Sequence, residues 1–340
     1  MQRRTLLFAL WLAAFAGAWL YLVSSGGHWR ALIDHWGIAV AMAVGSYFGA
    51  STPVGGGAVG FPVLVLLFGE PPAVGRDFSF AIQSIGMVSA SIFIFARRRP
   101  VAWRLLGWSL AAGTVVVPLA TVWLVPVLPP LAVKLLFAVV WAGFGLVHFV
   151  RWREIETLTG SGARTPGRDL RLGLAIGTAG GLVTAATGVG VNMLLYMVLV
   201  MLFRSDAKIA IPTSVIAMAA LSLVGVATRA ALGGFHPEVY PNWLTAAPVV
   251  VLGAPLGAWM VQRLPRAPTL WLVSALCVGQ FLWVCLHERV TGAPLAAALA
   301  GVGVFVWIFH ALHRRGLQLA GGARDAALRG AGADPRALAP

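Results

Sequence analysis

Long apolar segments constrain the fold of this chain more than any other feature of its sequence. Ten of them follow one another, at 5–23, 36–69, 73–96, 104–126, 131–150, 172–203, 209–232, 243–262, 268–287 and 293–312. A run of about 18 or more apolar residues is long enough to cross the hydrocarbon core of a bilayer as a helix. Charged residues make up only 11% of the chain, whereas a soluble domain carries about 25%. The sequence therefore predicts an all-α polytopic membrane protein that is surrounded by the lipid bilayer.

The basic residues, which give the chain a formal net charge of +14, lie in short clusters between the apolar segments. Nucleic-acid binding would require these residues to line a polar face. Lysine and arginine in short loops between membrane helices instead set the orientation of a protein in its membrane. We therefore exclude nucleic acid as a partner.

Two of the apolar segments are interrupted near their middle. Segments 36–69 and 172–203 are each too long for one ordinary membrane helix, and each contains a glycine-rich break, PVGGG at 53–57 and GVGVN at 188–192. Proline removes a backbone donor, and glycine weakens the interior of a helix. Each break is therefore predicted to end one half-helix and to begin another.

The two breaks belong to an internal repeat. A shift of 135 residues places the second break on the first and places Ser214 on Ser79. The order of broken segment, helix, helix, Leu-Pro and helix is the same in both regions, which indicates two homologous halves at 36–151 and 171–288. Internal repeats in a membrane protein are typical of secondary transporters.

The arginines indicate how the broken segments cross the membrane. If each segment crossed once, the clusters at 97–99 and 151–171 would lie outside, against the preference of basic loops for the inner side. If each segment is a re-entrant hairpin, both clusters lie inside. Each half of a broken segment has about 14 residues, or ~21 Å of helix, which is shorter than a bilayer core of ~30 Å. We predict about eight full transmembrane helices and two re-entrant hairpins in two inverted repeats, with single broken crossings as the alternative.

The predicted organisation has six parts. They are an N-terminal transmembrane helix with an outer loop at 1–35, repeat 1 at 36–151, a basic cytoplasmic linker at 152–170, repeat 2 at 171–288, the last transmembrane helix at 289–313, and a disordered cytoplasmic tail at 314–340. The tail is rich in Gly, Ala and Arg and lacks apolar periodicity. Both termini are predicted to lie in the cytoplasm.

The breaks are the candidate substrate site. An unwound backbone inside a membrane is tolerated only where protein or a water-filled cavity surrounds it, and the free N–H groups at the start of the next half-helix favour an anion. The residues proposed to bind substrate combine both breaks with polar positions of the following helices: Thr52, Gly55, Gly56, Gly57, Ser79, Gln83, Thr187, Gly188, Gly190, Asn192, Thr213 and Ser214. We expect the two breaks to lie near the midplane and close to each other.

Glycines can instead serve close helix packing. We assign that role to three G-x-x-x-G motifs, which begin at Gly45, Gly173 and Gly253, because small residues let membrane helices approach closely. For the paired breaks we favour substrate binding, because packing alone does not explain a break that recurs at the same place in both halves.

Other chemistry is sparse in this sequence. Asp77 is a candidate carrier of a coupling proton, and the alternative is an interfacial carboxylate that pairs with Arg76. The chain has no P-loop, no G-x-S-x-G motif and no H-E-x-x-H zinc motif, which are the usual marks of nucleotide hydrolysis, serine catalysis and metalloprotease chemistry. We therefore predict no catalytic residues, no metal and no cofactor, and we do not expect an enzyme.

These motifs resemble the TauE/SafE family, also called the sulfite exporter family. Its members are similar to two copies of a unit that begins with a glycine-rich stretch and continues with a Thr-Ser motif at the next helix. The first feature is matched by PVGGG at 53–57, followed by Gly60-Phe61-Pro62, and by GVGVN at 188–192. The second is matched at 210–214 and, with only its serine, at 77–79.

The resemblance covers about 36–288 and implies a substrate class. It implies transport of a small sulfur-containing anion across a bacterial-type inner membrane, such as sulfite, sulfoacetate or a related organic sulfonate or carboxylate. Pro53, Val191 and Asn192 replace glycines of the family pattern. Two other hypotheses are a passive anion channel and a membrane subunit that does not transport, and the sequence carries no indication of an oligomeric state.

Overall fold

The computed structural model describes residues 2–52, 57–160, 164–260 and 266–332, and all regular structure in these ranges is helical. The α-helices are α1 (Gln2–Ser25), α2 (Trp29–Asp34), α3 (Trp36–Ser51), α4 (Gly57–Pro62), α5 (Pro72–Ala96), α6 (Trp103–Trp123), α7 (Pro130–Thr157), α8 (Pro166–Thr187), α9 (Val191–Met197), α10 (Ala207–Ala231), α11 (Val239–Met260), α12 (Arg266–His287) and α13 (Gly292–Gly332). Two π-helical turns, Val63–Leu67 and Val198–Leu202, continue α4 and α9, and a 3₁₀ turn follows α6 at Val125–Val127.

Within the described ranges, nine helices are long and apolar enough to cross a membrane. This confirms the prediction of an all-α polytopic membrane protein. The count exceeds the expected eight because α8 has 22 residues, or ~33 Å of helix. By contrast, α3 has 16 residues and α9 has seven, which leaves both short of a bilayer core of ~30 Å.

Burial separates central helices from peripheral ones. Side chains along α5 and α10 are mostly buried inside the protein, whereas α1 and α13 keep most of their apolar side chains exposed. Lipid tails are as apolar as leucine, so exposed apolar faces need no protein cover in a membrane. The packing therefore places α5 and α10 at the centre of the helix bundle.

Both broken segments fold back on themselves as helical hairpins. In the first, the ring of Phe68 lies 3.4 Å from the position that a Cβ on Gly37 would take. In the second, the Arg164 guanidinium lies 5.9 Å from the centre of the Phe203 ring, and the Asp206 N–H donates to the Gly160 carbonyl over 2.9 Å. The beginning and end of each segment therefore lie side by side, as in the predicted re-entrant hairpins.

The two hairpins share a helical distortion. Each second half-helix changes from α to π geometry, at 63–67 and at 198–202, and these turns are separated by the 135 residues of the sequence repeat. The hairpin arms are unequal in length, which differs from the expected halves of about 14 residues. In the second hairpin the first arm alone has 22 residues, because the α-helix begins at Pro166, before the apolar segment that starts at 172.

Matching helices of the two halves run antiparallel. Asp77 near the start of α5 pairs with Arg229 near the end of α10. Just after the end of α5, the Ala102 N–H donates to Thr213 near the start of α10. In α7 and α12, Lys134 near the start of one helix pairs with Glu288 just after the end of the other.

The other extensive helix contacts join the two predicted halves of the chain. α3 runs parallel to α11, and α8 runs parallel to α6. A Cβ on Gly177 would lie 2.2 Å from the Ser109 carbonyl oxygen, and a Cβ on Gly257 would lie 2.3 Å from that of Tyr47. The second glycines of these two G-x-x-x-G motifs thus let backbones touch, which confirms the packing role predicted for them.

The last helix is longer than the sequence predicts. Helix α13 continues to Gly332, over most of the tail for which we expected disorder, and 333–340 lie outside the described residues. The stretch has no proline up to residue 332, and its Ala, Leu and Arg residues favour helix, whereas its glycines do not. The helix thus continues where apolar periodicity is absent.

We predict that Gly177→Ala lowers the free energy of unfolding by about 1–3 kcal/mol, because overpacking against a fixed backbone atom forces helices apart. Gly279→Ala is the matched control, since no atom lies within 4 Å of its Cβ position. It should leave stability unchanged or raise it by up to about 1 kcal/mol through better helix propensity. Thermal unfolding of purified protein in detergent measures both, and equal midpoints would contradict the proposed α6–α8 contact.

Candidate functional site

The tip of the second hairpin, residues 187–192, is fully described and is called the second tip below. Helix α8 ends at Thr187, and Gly188 caps it with a left-handed φ of +80°. The Gly188 N–H donates to the Thr184 carbonyl over 2.7 Å. Gly190 then has a φ of +149° and precedes α9. Both conformations favour glycine, because a Cβ disfavours positive φ. The sequence GVG thus dictates the local reversal.

The backbone N–H groups of the second tip are already partnered. The Val191 N–H donates to the Thr184 hydroxyl over 3.1 Å, the Gly190 N–H donates to Asn192 Oδ1 over 3.3 Å, and the Val189 N–H lies 3.5 Å from the Thr187 hydroxyl. The expectation of free N–H groups is therefore wrong for these three positions in this conformation. The physical reason is that a buried N–H without a partner is costly, and the nearby side chains provide one.

Helix α5 covers the second tip. A Cβ on Gly188 would lie 2.5 Å from Ser79 Cβ and 2.7 Å from the Arg76 carbonyl oxygen. The Gln83 amide Nε2 donates to the carbonyls of Gly188 and Ser79, each over 3.0 Å. The structure thus brings together Ser79, Gln83 and Gly188, as predicted. Gln83 Oε1 is buried and has no hydrogen-bond partner among the described residues.

Charged side chains lie directly beside this contact. Asp77 is 0% exposed, and its carboxylate is 2.8 Å from an Arg76 nitrogen, 3.0 Å from Arg229 Nε and 2.9 Å from His236 Nδ1. These four residues are called the Asp77 cluster. Its two arginines and one aspartate leave one positive charge in excess, before any charge on His236. The predicted pair with Arg76 is present, and Asp77 is enclosed by protein as well.

The Asp77 cluster ties three elements together near the second tip. Arg76 and Asp77 belong to α5, Arg229 belongs to the last turn of α10, and His236 lies in the following loop. Arg229 also donates to the Gly234 carbonyl over 2.8 Å. The Arg76 backbone touches Gly188, so the cluster lies on the same turn of α5 that contacts the second tip.

The first tip, at 52–57, is described only at its edges. Gly55 and Gly56 lie outside the described residues, and Gly57 begins α4. Thr52 is buried and donates its hydroxyl to the Phe48 carbonyl over 2.6 Å.

The end of α3, which precedes the first tip, lies beside the start of α10. Ala50 lines a small cleft together with Ile211 and Pro212 at the start of α10, and with Arg99 and Lys208. Burial lowers the pKa of Arg99, and the positive charge of Arg97 lowers it further. The end of α3 thus lies beside the start of α10, the second tip lies against the start of α5, and basic residues lie near both places.

Apart from the four at the first tip, the predicted site residues form two groups. Ser79, Gln83, Thr187, Gly188, Gly190 and Asn192 gather at the second tip. Thr213 and Ser214 bond to α10 carbonyls, and Thr213 also accepts from the Ala102 N–H. Among the described residues, no hydrogen bond joins Thr213 or Ser214 to the second tip.

Four residues of this region are absent from the predicted set. They are Thr184, Arg76, Arg229 and His236, and the structure adds them through the contacts described above. A signal for Arg229 exists in the sequence, because it falls inside the apolar segment 209–232 and ionisable residues within such segments are usually functional. His236 lies in a loop, and only the fold brings it to Asp77.

We predict that Gly188→Ala displaces the second tip from α5 and lowers the thermal unfolding midpoint. The added Cβ meets backbone as well as a positive φ, and strain of this kind costs about 1–3 kcal/mol. Gly69→Ala is the matched control, with a φ of +75° and no atom within 4 Å of its Cβ position. Midpoints measured in detergent should fall further for Gly188→Ala than for Gly69→Ala, and equal losses would show that φ alone matters.

The sequence matches a known family over the region that contains both hairpins. A family model described as "Sulfite exporter TauE/SafE" matches residues 38–284. No curated protein and no solved structure matches the chain significantly. Because the match covers most of the chain, including both tips and the Asp77 cluster, the protein belongs to the TauE/SafE sulfite exporter family.

Proposed function

We infer from its membership of a sulfite exporter family that this chain is a membrane transporter of sulfur-containing anions. We propose that this chain is a secondary transporter that moves a small anion, either a sulfur oxyanion or an organic sulfonate or carboxylate, by alternating access at its two tips. The observation that carries the proposal is the excess positive charge of the Asp77 cluster, whose Arg76 contacts the second tip through its backbone.

Electrostatics supports an anion as the substrate. The Asp77 side chain is completely buried and Arg76 nearly so, and a charge acts more strongly where the surroundings have a low dielectric constant. Buried ionisable residues in membrane proteins mark the pathways of ions and substrates. Arg99 and Lys208 provide positive charge where α3 ends, near the first tip. An anion would therefore meet favourable charge at either hairpin.

Several contacts support two inverted repeats. The equivalent helices α5 and α10 run antiparallel, and so do α7 and α12. Helices related by a two-fold axis in the membrane plane must run antiparallel, whereas parallel repeats would make them parallel. We propose on this basis that the hairpins enter from opposite faces of an inner membrane, with both termini in the cytoplasm.

The described conformation is closed at the second tip. The side chains of Gln83, Thr187 and Asn192 are at most 2% exposed. Transport therefore requires a second conformation, and we propose that opening exchanges the side-chain partners of the N–H groups at 189–191 for the anion. Such exchange keeps each buried N–H satisfied in both states.

Transport by purified protein in liposomes tests this function. We expect saturable uptake of sulfite or a small organic sulfonate, with accumulation above equilibrium when a proton or sodium gradient is applied. Dependence on protons would support Asp77 as the coupling residue. Flux that never exceeds equilibrium would support a passive channel instead, and silent liposomes together with a co-purifying protein would support a non-transporting subunit.

We predict that Asn192→Asp reduces anion uptake by about tenfold or more, equivalent to ~1.4 kcal/mol. Aspartate keeps the oxygen that accepts from the Gly190 N–H, so the tip retains its fold, but the new negative charge repels an anion. Initial uptake rates in liposomes measure the effect.

Asn242→Asp is the matched control for a new buried carboxylate. Asn242 is 4% exposed and lies in α11, where its amide contacts His35 and the Glu238 carbonyl. Its uptake should stay within about twofold of the unmodified protein, a difference of ~0.4 kcal/mol. Equal losses in both variants would contradict a substrate position at the second tip.

A further inference from the structure

The Gln83 amide has a defined orientation. Its Nε2 lies 3.0 Å from two carbonyl oxygens, those of Ser79 and Gly188. Reversing the amide would place its own carbonyl oxygen against both acceptors, which cannot donate a proton. The nitrogen must therefore face the second tip, and Oε1 must face away from these two carbonyls.

Gln83 Oε1 is a buried acceptor without a donor. The side chain is 1% exposed, and within the described part of the chain no donor lies within hydrogen-bond distance of Oε1. Leaving a buried acceptor unpaired is unfavourable, and native proteins do so rarely. The Thr187 hydroxyl does not donate to Oε1, because its proton is shared between the carbonyls of Val183 and Val189.

The unpaired oxygen shares a helix face with positive charge. Arg76, Ser79 and Gln83 are spaced by three and four residues along α5, so they follow one stripe of the helix. Arg76 at one end of this stripe and Ser79 in its middle contact Gly188. Arg76 also contributes to the excess charge of the Asp77 cluster. A ligand beside this stripe would meet a cation and an acceptor together.

We propose that Gln83 determines substrate specificity by accepting a hydrogen bond through Oε1 from a donor that the anion itself carries. The preferred substrate class is then a small anion with an O–H or N–H group, such as a hydroxyalkyl or aminoalkyl sulfonate or a protonated oxyanion. The inference rests on the proposed anion transport. A site that hydrogen-bonds a substrate hydroxyl rejects the analogue without it, because the protein group is left unpaired.

The test compares two probes that differ by one hydroxyl, 2-hydroxyethanesulfonate and ethanesulfonate. Uptake into liposomes and thermal stabilisation of the purified protein are measured over a concentration series for each. The unmodified protein should prefer the hydroxylated probe by about tenfold or more in half-saturating concentration, within the range known for such discrimination. This comparison needs no variant, so it stands even if a substitution impairs folding.

Variants then assign the preference to Gln83. Gln83→Met removes the amide at similar length and should bring the ratio between the probes close to one. Gln280→Met is the matched control, because Gln280 lies in α12 and its unpaired buried atom is the donor Nε2 rather than an acceptor. It should keep the preference of the unmodified protein.

The outcomes separate this inference from the proposed function. If the unmodified protein binds and carries both probes equally well, the role of Gln83 is overturned and anion transport stands. If Gln83→Met keeps the full preference, another group recognises the hydroxyl and the inference is again overturned. If no sulfonate, carboxylate or sulfur oxyanion is bound or carried, the proposed function fails and the inference fails with it.

Discussion

The structure depends on the requirement that every backbone polar group inside a membrane finds a partner. In an uninterrupted helix the backbone groups bond to one another. At the two breaks they must find other partners. At the second tip the side chains of Thr184, Thr187 and Asn192 accept from the freed N–H groups, and Gln83 donates to the Gly188 carbonyl. The polar residues around the break thus stabilise an unwound backbone in the closed conformation, and the same groups are available to rearrange around a substrate.

Charge is concentrated where the backbone is unwound. The Asp77 cluster places two arginines, one aspartate and one histidine at the junction of α5, α10 and the loop after α10. Breaking a buried ion pair is strongly destabilising, because the remaining charge stays uncompensated. The cluster therefore connects the two central helices firmly while it leaves an excess of positive charge beside the tip. The same four residues thus hold the two helices together and carry the excess charge.

Close backbone contacts hold the first arm of each hairpin in the bundle. Glycines in α8 and α11 let these helices lie against α6 and α3, so the first arm of each hairpin packs against a helix from elsewhere in the chain. In a bilayer such close packing replaces the hydrophobic driving force that operates in water. A hairpin held in this way can move relative to the central pair α5 and α10 only if these glycine contacts slide or open.

The sequence by itself determined the membrane class, the two breaks and the resemblance to the family, because apolar length and glycine position are local or periodic signals. The distribution of arginines favoured hairpins but left single broken crossings as the alternative. Ser79, Gln83 and the glycines of GVGVN were found in the same way. Tertiary structure alone decided that the N–H groups at 189–191 are capped and that Gln83 Oε1 is unpaired. It also decided that His236 meets Asp77, 159 residues away. Such contacts depend on how distant helices pack, and one chain read alone contains no signal for the orientation of one helix against another.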